Sequence, residues 1–145
     1  MMDLLAATQA VCRRLTDDVP VIASLGNPGL ALFQADKRRT RNFYFRNAMG
    51  SACSLALGMA SALPGQRVVL LDGDGSLLMN LSSLASEAWR APKNLVHICW
   101  DNRMYEMTGR QPTATAGPTD LAAVAEGAGF PRVERAETLP AFEAA

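Results

Sequence analysis

The stretch Val68-Val69-Leu70-Leu71-Asp72-Gly73-Asp74-Gly75-Ser76 limits this chain more than any other. Four apolar residues in a row, two of them β-branched, describe a strand buried on both faces, as in a parallel sheet. The run then breaks into two glycines flanking a carboxylate. Glycine allows a tight turn and lets an anion approach exposed backbone N–H groups. Asp74, held between the glycines, offers hard oxygen ligands. A strand ending in such a turn, with a helix after it, builds a phosphate site whose charge needs a metal ion. Counting excludes three other uses. A dinucleotide fingerprint needs a third glycine where Leu78 stands. A Walker loop needs a Gly-Lys-Ser/Thr ending, which is absent. An EF-hand begun at Asp72 would put its glycine at Leu77 and its bidentate glutamate at Ser83. Taken alone, the tripeptide reads as an ordinary strand-to-loop turn.

A second run changes that reading. Leu95-Val96-His97-Ile98-Cys99-Trp100 has strand length and ends in Asp101-Asn102. The 25 positions from 76 to 100 hold one helix and one strand, a right-handed crossover to a parallel neighbour. Both strands then end on the same sheet edge, where Asp74 and Asn102 can reach one cation.

Gly73-Asp74-Gly75, that gap, and Asp101-Asn102 resemble the thiamine diphosphate (ThDP) motif, in which Gly-Asp-Gly is followed at about this distance by Asn-Asn. From about Val21 to Phe130 the chain is similar to the diphosphate-binding domain of the 2-oxoacid decarboxylases. Ala48-Met49-Gly50-Ser51-Ala52 and Thr108-Gly109-Arg110-Gln111-Pro112-Thr113 add to the likeness, which is to the sulfopyruvate (β subunit) and phosphonopyruvate decarboxylase branch. Asp101 departs from the pattern by replacing the first asparagine.

The resemblance implies a three-layer α/β/α fold around a mainly parallel sheet. It implies Mg²⁺ held by the side chains of Asp74 and Asn102 and the backbone carbonyl of Met104. The Gly73 turn, the N–H groups near Gly75 and Ser76, and the Ser76 hydroxyl would hold the diphosphate. The Asn47 carbonyl and the Met49 N–H would bind the aminopyrimidine. Met49 itself would be the apolar wedge that bends the cofactor, bringing its amino group to the reactive carbon. Core filling is the other reading of this methionine. The implied reaction is decarboxylation of a small anionic 2-oxoacid. The activating glutamate belongs to a separate pyrimidine-binding α subunit, giving an α₂β₂ or larger assembly. An acetolactate-synthase-like or transketolase-like split enzyme, or a ThDP-binding module without turnover, are the alternatives.

Composition narrows the classes. At 145 residues and 49% hydrophobic, the chain suits one domain spanning 1–145. Fourteen basic residues balance 14 acidic ones, so there is no electrostatic case for nucleic acid. Three cysteines, Cys12, Cys53 and Cys99, in apolar surroundings read as reduced core thiols of a cytoplasmic protein. No apolar run approaches membrane-spanning length, and no signal peptide is evident.

Along the chain, residues 3 to 17 form an amphipathic helix and Val19–Ser24 the first strand. Gly26-Asn27-Pro28-Gly29 is either a tight turn into a short helix or a substrate loop. Lys37, Arg38, Arg39 and Arg41 read as solvated loop charge. Asn42–Phe45 is a second strand, and Arg46 after it faces either a substrate anion or solvent. The helix from Ser51 to Leu63 is small-residue and apolar, fit for burial against the sheet or a partner. Asn80 or Ser82 caps the next helix, which stops before Pro92. His97 reads as a core residue. Residues 103 to 118 read as a loop, Thr119 as the cap of a helix ending at Gly127 or Gly129, Arg132–Arg135 as a further strand, and Thr138 as the start of a last helix.

Overall fold

The structure, a computed structural model, describes residues 2–37 and 40–145; Arg38 and Arg39 of the basic run lie outside these. Asp3 accepts a hydrogen bond from the Ala6 N–H at 2.8 Å and so caps α1 (Leu4–Arg13). Strands and helices then alternate: β1 (Val21–Ala23), α2 (Asn27–Ala35), β2 (Asn42–Tyr44), α3 (Ala52–Ala62), β3 (Val68–Gly73), α4 (Asp74–Met79), α5 (Ser82–Arg90) and β4 (Leu95–Trp100). These four strands make one parallel sheet in the order β2-β1-β3-β4.

The apolar run at β3 serves two layers. Val68 and Leu70 face one side, where with Ile22 they meet Ala52, Cys53, Ala56 and Ala60 of α3. Val69 and Leu71 face the other, packing with Val11 of α1 and Leu32 of α2. The result is the α/β/α sandwich that the sequence implies. The small residues of α3 turn toward the sheet and let the helix backbone come close. Leu70 and Leu71 are fully buried, each stabilising the fold by about 1.5–3 kcal/mol relative to exposure.

The remaining chain is β5 (Met104–Tyr105) paired antiparallel with β6 (Gln111–Pro112), a 3-10 turn at Ala114–Ala116, α6 (Leu121–Ala128) and α7 (Leu139–Ala144). Residues 103 to 118 are therefore not loop throughout.

Several boundaries differ from the sequence reading. The first helix stops at Arg13, where the N–H groups of Arg14 and Leu15 bond Val11 and Cys12 three residues back and tighten the last turn. The stretch at Gly26–Gly29 is mostly helix: Gly26, at φ +103°, ends the turn and Asn27 begins α2. Asp120, not Thr119, caps α6, accepting from Ala122 and Ala123 N–H. Residues 132 to 135 form no strand. Their charges pair instead, Arg132 with Glu134 and Arg135 with Asp120, and β4 stays at the edge of the sheet. Thr138 does cap the last helix, and Gly129 ends α6 at φ +98°.

Candidate active site

The register of β3 on β4 sets the site. Gly73 stands opposite Trp100, so the next residues, Asp74 on one strand and Asp101-Asn102 on the other, leave the sheet side by side. This is the juxtaposition the spacing predicts. The Gly-Asp-Gly turn is tighter than the sequence suggests, since Asp74 itself opens the short helix α4.

Asp74 is 3% exposed. Its Oδ2 accepts from the Thr113 hydroxyl at 2.7 Å and lies 3.3 Å from the Thr115 hydroxyl. Thr115 makes its shorter contact, 2.7 Å, with Asp101 Oδ1. One hydroxyl proton cannot serve both carboxylates, so Thr113 answers Asp74 and Thr115 answers Asp101. Burial raises the Asp74 pKa and the charge of Asp101 adds to the rise, while the Thr113 hydroxyl, the Gly75 N–H and Thr115 oppose it. The partners at these oxygens are all neutral. Asp101, where the motif ordinarily has asparagine, adds a second negative charge beside a buried carboxylate. Such a donor set suits a hard divalent cation, and Mg²⁺ fits it.

Asn102 is fixed by its neighbours. Its Oδ1 accepts from the Met104 N–H at 3.1 Å, and Arg103 between them takes the left-handed φ of +64°. That conformation is costly for a residue with a Cβ and is held here by the Asp101 side chain, which accepts from the Arg103 N–H at 3.0 Å. Asn102 Nδ2 donates to Glu106 at 3.1 Å, and Asn27 at the start of α2 donates to the same Glu106 oxygen. The Gly26–Asn27 turn is thereby joined, through Glu106, to the Asp101–Asn102 turn.

The Met49 loop closes over α4 from the other side. The Ser76 hydroxyl accepts from the Gly50 N–H at 3.3 Å, and Asn80 donates to the Gly50 carbonyl at 3.1 Å. Ala48 and Gly50 both have positive φ, +57° and +87°. Met49 is half-buried, with its methyl beside Gly75. A Cβ added to Gly75 would sit 3.3 Å from that methyl and 2.6 Å from the Tyr105 ring. Only glycine fits between them.

Asn27, Met49, Gly73, Asp74, Gly75, Ser76, Asn102 and Met104 all line one open groove. Arg46 and Asn47 are exposed on the preceding turn and do not line it. The contacts of Thr113 and Thr115 with Asp74 and of Glu106 with Asn102 have no signal in the sequence. Thr113 lay at the end of a motif already noted, but nothing in its local pattern points at Asp74. His97 is a core residue, as expected, 3.0 Å from Glu87.

Residues 25–145 match the model of the thiamine pyrophosphate enzymes' C-terminal TPP binding domain. The chain belongs to this family. It is a ThDP-binding domain. It is 41% identical over 139 residues to the sulfopyruvate decarboxylase subunit beta of Methanothermobacter thermautotrophicus, covering 96% of this chain and 73% of that one. It is 39% identical over 135 residues to the phosphonopyruvate decarboxylase of Streptomyces viridochromogenes, covering 93% of this chain but only 33% of that longer protein. A solved structure of a protein from Mycobacterium smegmatis superposes with a TM-score of 0.81 at 22% identity, over 99% of this chain and 28% of that one. That likeness supports the fold.

Proposed function

We propose that this chain is the ThDP- and Mg²⁺-holding half of a 2-oxoacid decarboxylase of the sulfopyruvate or phosphonopyruvate type, organised as a single domain over residues 1–145. The observation that carries the reading is Asp74, a buried carboxylate short of positive charge, set beside Asp101-Asn102 at adjacent parallel strand ends. Asp74, Asn102 and the Met104 carbonyl would hold the cation. The Gly75 and Ser76 N–H groups and the Ser76 hydroxyl, whose own proton is free to donate after accepting from Gly50, would hold the diphosphate. Met49 would support the cofactor's bend, and the Asn47 carbonyl and Met49 N–H its pyrimidine. Bound ThDP supplies the electron sink for loss of CO₂ from a 2-oxoacid.

A partner subunit follows from what the edge lacks. Glu87 is locked in a buried contact with Cys53 and His97, and Glu106 is engaged by Asn27 and Asn102, so neither is placed against a pyrimidine. The rim also carries uncovered apolar surface. Met79, packed near Gly50, is 61% exposed, and Met107, near Gly26, is 64% exposed. The small-residue face of α3, by contrast, is already spent on the sheet. A pyrimidine-binding subunit supplying the activating glutamate would cover that rim in an α₂β₂ or larger assembly. Cys12, Cys53 and Cys99 are not joined in disulfides, which suits a cytoplasmic setting, and no helix among the described residues is long and apolar enough to cross a membrane.

Calorimetric titration of ThDP into the chain with a pyrimidine-binding subunit tests the site. Binding is expected to need Mg²⁺ and to be lost in Asp74→Ala and in Asn102→Ala. Unchanged affinity in both variants would remove the metal-site assignment.

A further inference from the structure

Beneath the active edge, α3, α5 and β4 each send one metal-binding side chain to a common point. Cys53 Sγ lies 2.9 Å from Glu87 Oε2, and His97 Nδ1 lies 3.0 Å from the same oxygen. The three ligand atoms are all within 4.8 Å of one another. Cys53 and Glu87 are buried, and the His97 side chain is 8% exposed. These residues take no part in the ThDP edge.

Two further observations point to a ligand. The Ser83 hydroxyl is buried without a partner of hydrogen-bonding geometry, yet lies close enough to the Cys53 sulfur to favour its thiolate. His97 Nε2 is also buried without a hydrogen bond and faces Asp72 Oδ2 at 3.8 Å. An imidazole that keeps its proton at Nε2, toward Asp72, turns the Nδ1 lone pair into the cluster. A sulfur, a carboxylate oxygen and an imidazole nitrogen then converge with nothing positive between them. A carboxylate on the far ring nitrogen is the arrangement that orients metal-binding histidines.

We propose that Cys53, Glu87 and His97 form a structural site for a thiophilic divalent cation, Zn²⁺ by its ligand chemistry, with Ser83 Oγ or a water in the fourth position. The mixture of sulfur, nitrogen and oxygen suits Zn²⁺ or Co²⁺ and disfavours Mg²⁺, which takes oxygen ligands. At Zn²⁺ bond lengths, tetrahedral ligands stand roughly 3.3–3.7 Å apart, so the two contacts to Glu87 would open by roughly 0.3–0.7 Å as the three side chains close around the ion. The bound ion would tie α3 and α5 to β4. Through His97 it would brace Asp72, the residue before the Gly-Asp-Gly turn.

Without the ion, protons take its place: the Cys53 thiol and His97 Nδ1–H both donate to Glu87. Burial first, and then the Glu87 charge, push the Cys53 thiol far up. Burial disfavours the His97 imidazolium, but the Glu87 hydrogen bond and the charges of Glu87 and Asp72 outweigh it and raise the pKa. Metal binding needs the thiolate and a free Nδ1 lone pair, so it tightens as pH rises.

The test is a Co²⁺ titration of the purified chain, stripped with a chelator, in excess Mg²⁺. One equivalent should bind and give a thiolate-to-cobalt charge-transfer band with tetrahedral d–d absorption. Zn²⁺ should bleach both and raise Tm. The spectrum should persist in Asp74→Asn, which separates this site from the cofactor's, and vanish in Cys53→Ala and His97→Leu. Wild-type protein without a charge-transfer band overturns the proposal, whether or not the variants fold. A band that survives Cys53→Ala, its thiolate then coming from Cys12 or Cys99, overturns it too.

Discussion

In the proposed site Asp74 would hold the cation as a carboxylate, in surroundings that resist ionisation. Its folded pKa is raised, chiefly by burial. A carboxyl raised in the fold stabilises most below its unfolded pKa, near 3.8, and that contribution disappears as pH climbs through the folded value. At neutral pH and without a cation, Asp74 therefore weakens the fold. Asp74→Asn, which stays neutral, should raise Tm of the metal-free chain at pH 7 and make little difference below pH 3.8, while abolishing Mg²⁺-dependent ThDP binding. Thermal melts across that range check it, and a variant less stable than wild type at pH 7 contradicts it. Met49 is expected to act differently, since in the proposed site the cation and diphosphate contacts would supply most of the affinity. Met49→Ala should leave ThDP affinity within roughly tenfold and slow turnover by more than that. Steady-state kinetics beside a binding titration tests this, and full turnover would leave Met49 as packing alone.

At the scale of elements, the site depends on how the Met49 loop docks on α4. Gly50 is the joint. Its φ of +87° is left-handed, and a Cβ there would lie 3.1 Å from Met79 Cβ and 3.3 Å from Asn80 Cβ. Gly50→Ala should cost about 1–3 kcal/mol, read as a lower urea midpoint with an unchanged slope. An unchanged midpoint would show that the loop is not tied as described. The β3–β4 crossover was legible in the sequence because two apolar runs at that spacing leave one handedness and one common edge. The Asp74–Asn102 pairing came with it. Thr113 and Thr115 were not legible, because they reach Asp74 across 39 and 41 positions through the fold of the β5–β6 hairpin. The α4 helix was hidden as well: it is six residues long and opens between two glycines, where propensity argues for a turn. Thr119 and Asp120 are both competent caps, and only the path of the chain decides between them. Cys53 looked apolar because its sequence neighbours are, while Glu87 meets it from 34 positions away.

For the whole molecule, the central claim is that this domain provides one half of an active site. In the proposed assignment the cation and the diphosphate sit at the sheet edge, and Met79 and Met107 are left exposed near Gly50 and Gly26. Glu87 and Glu106 are both engaged elsewhere and are not placed to act on a pyrimidine. The most direct measurement is decarboxylation of sulfopyruvate, phosphonopyruvate and pyruvate, with ThDP and Mg²⁺, by the purified chain alone and then with a pyrimidine-binding subunit added. The account predicts no turnover alone and turnover of at least one of the first two substrates when both polypeptides are present. Turnover by the chain alone in the ordinary enzymatic range, roughly 1–10³ s⁻¹, would contradict it.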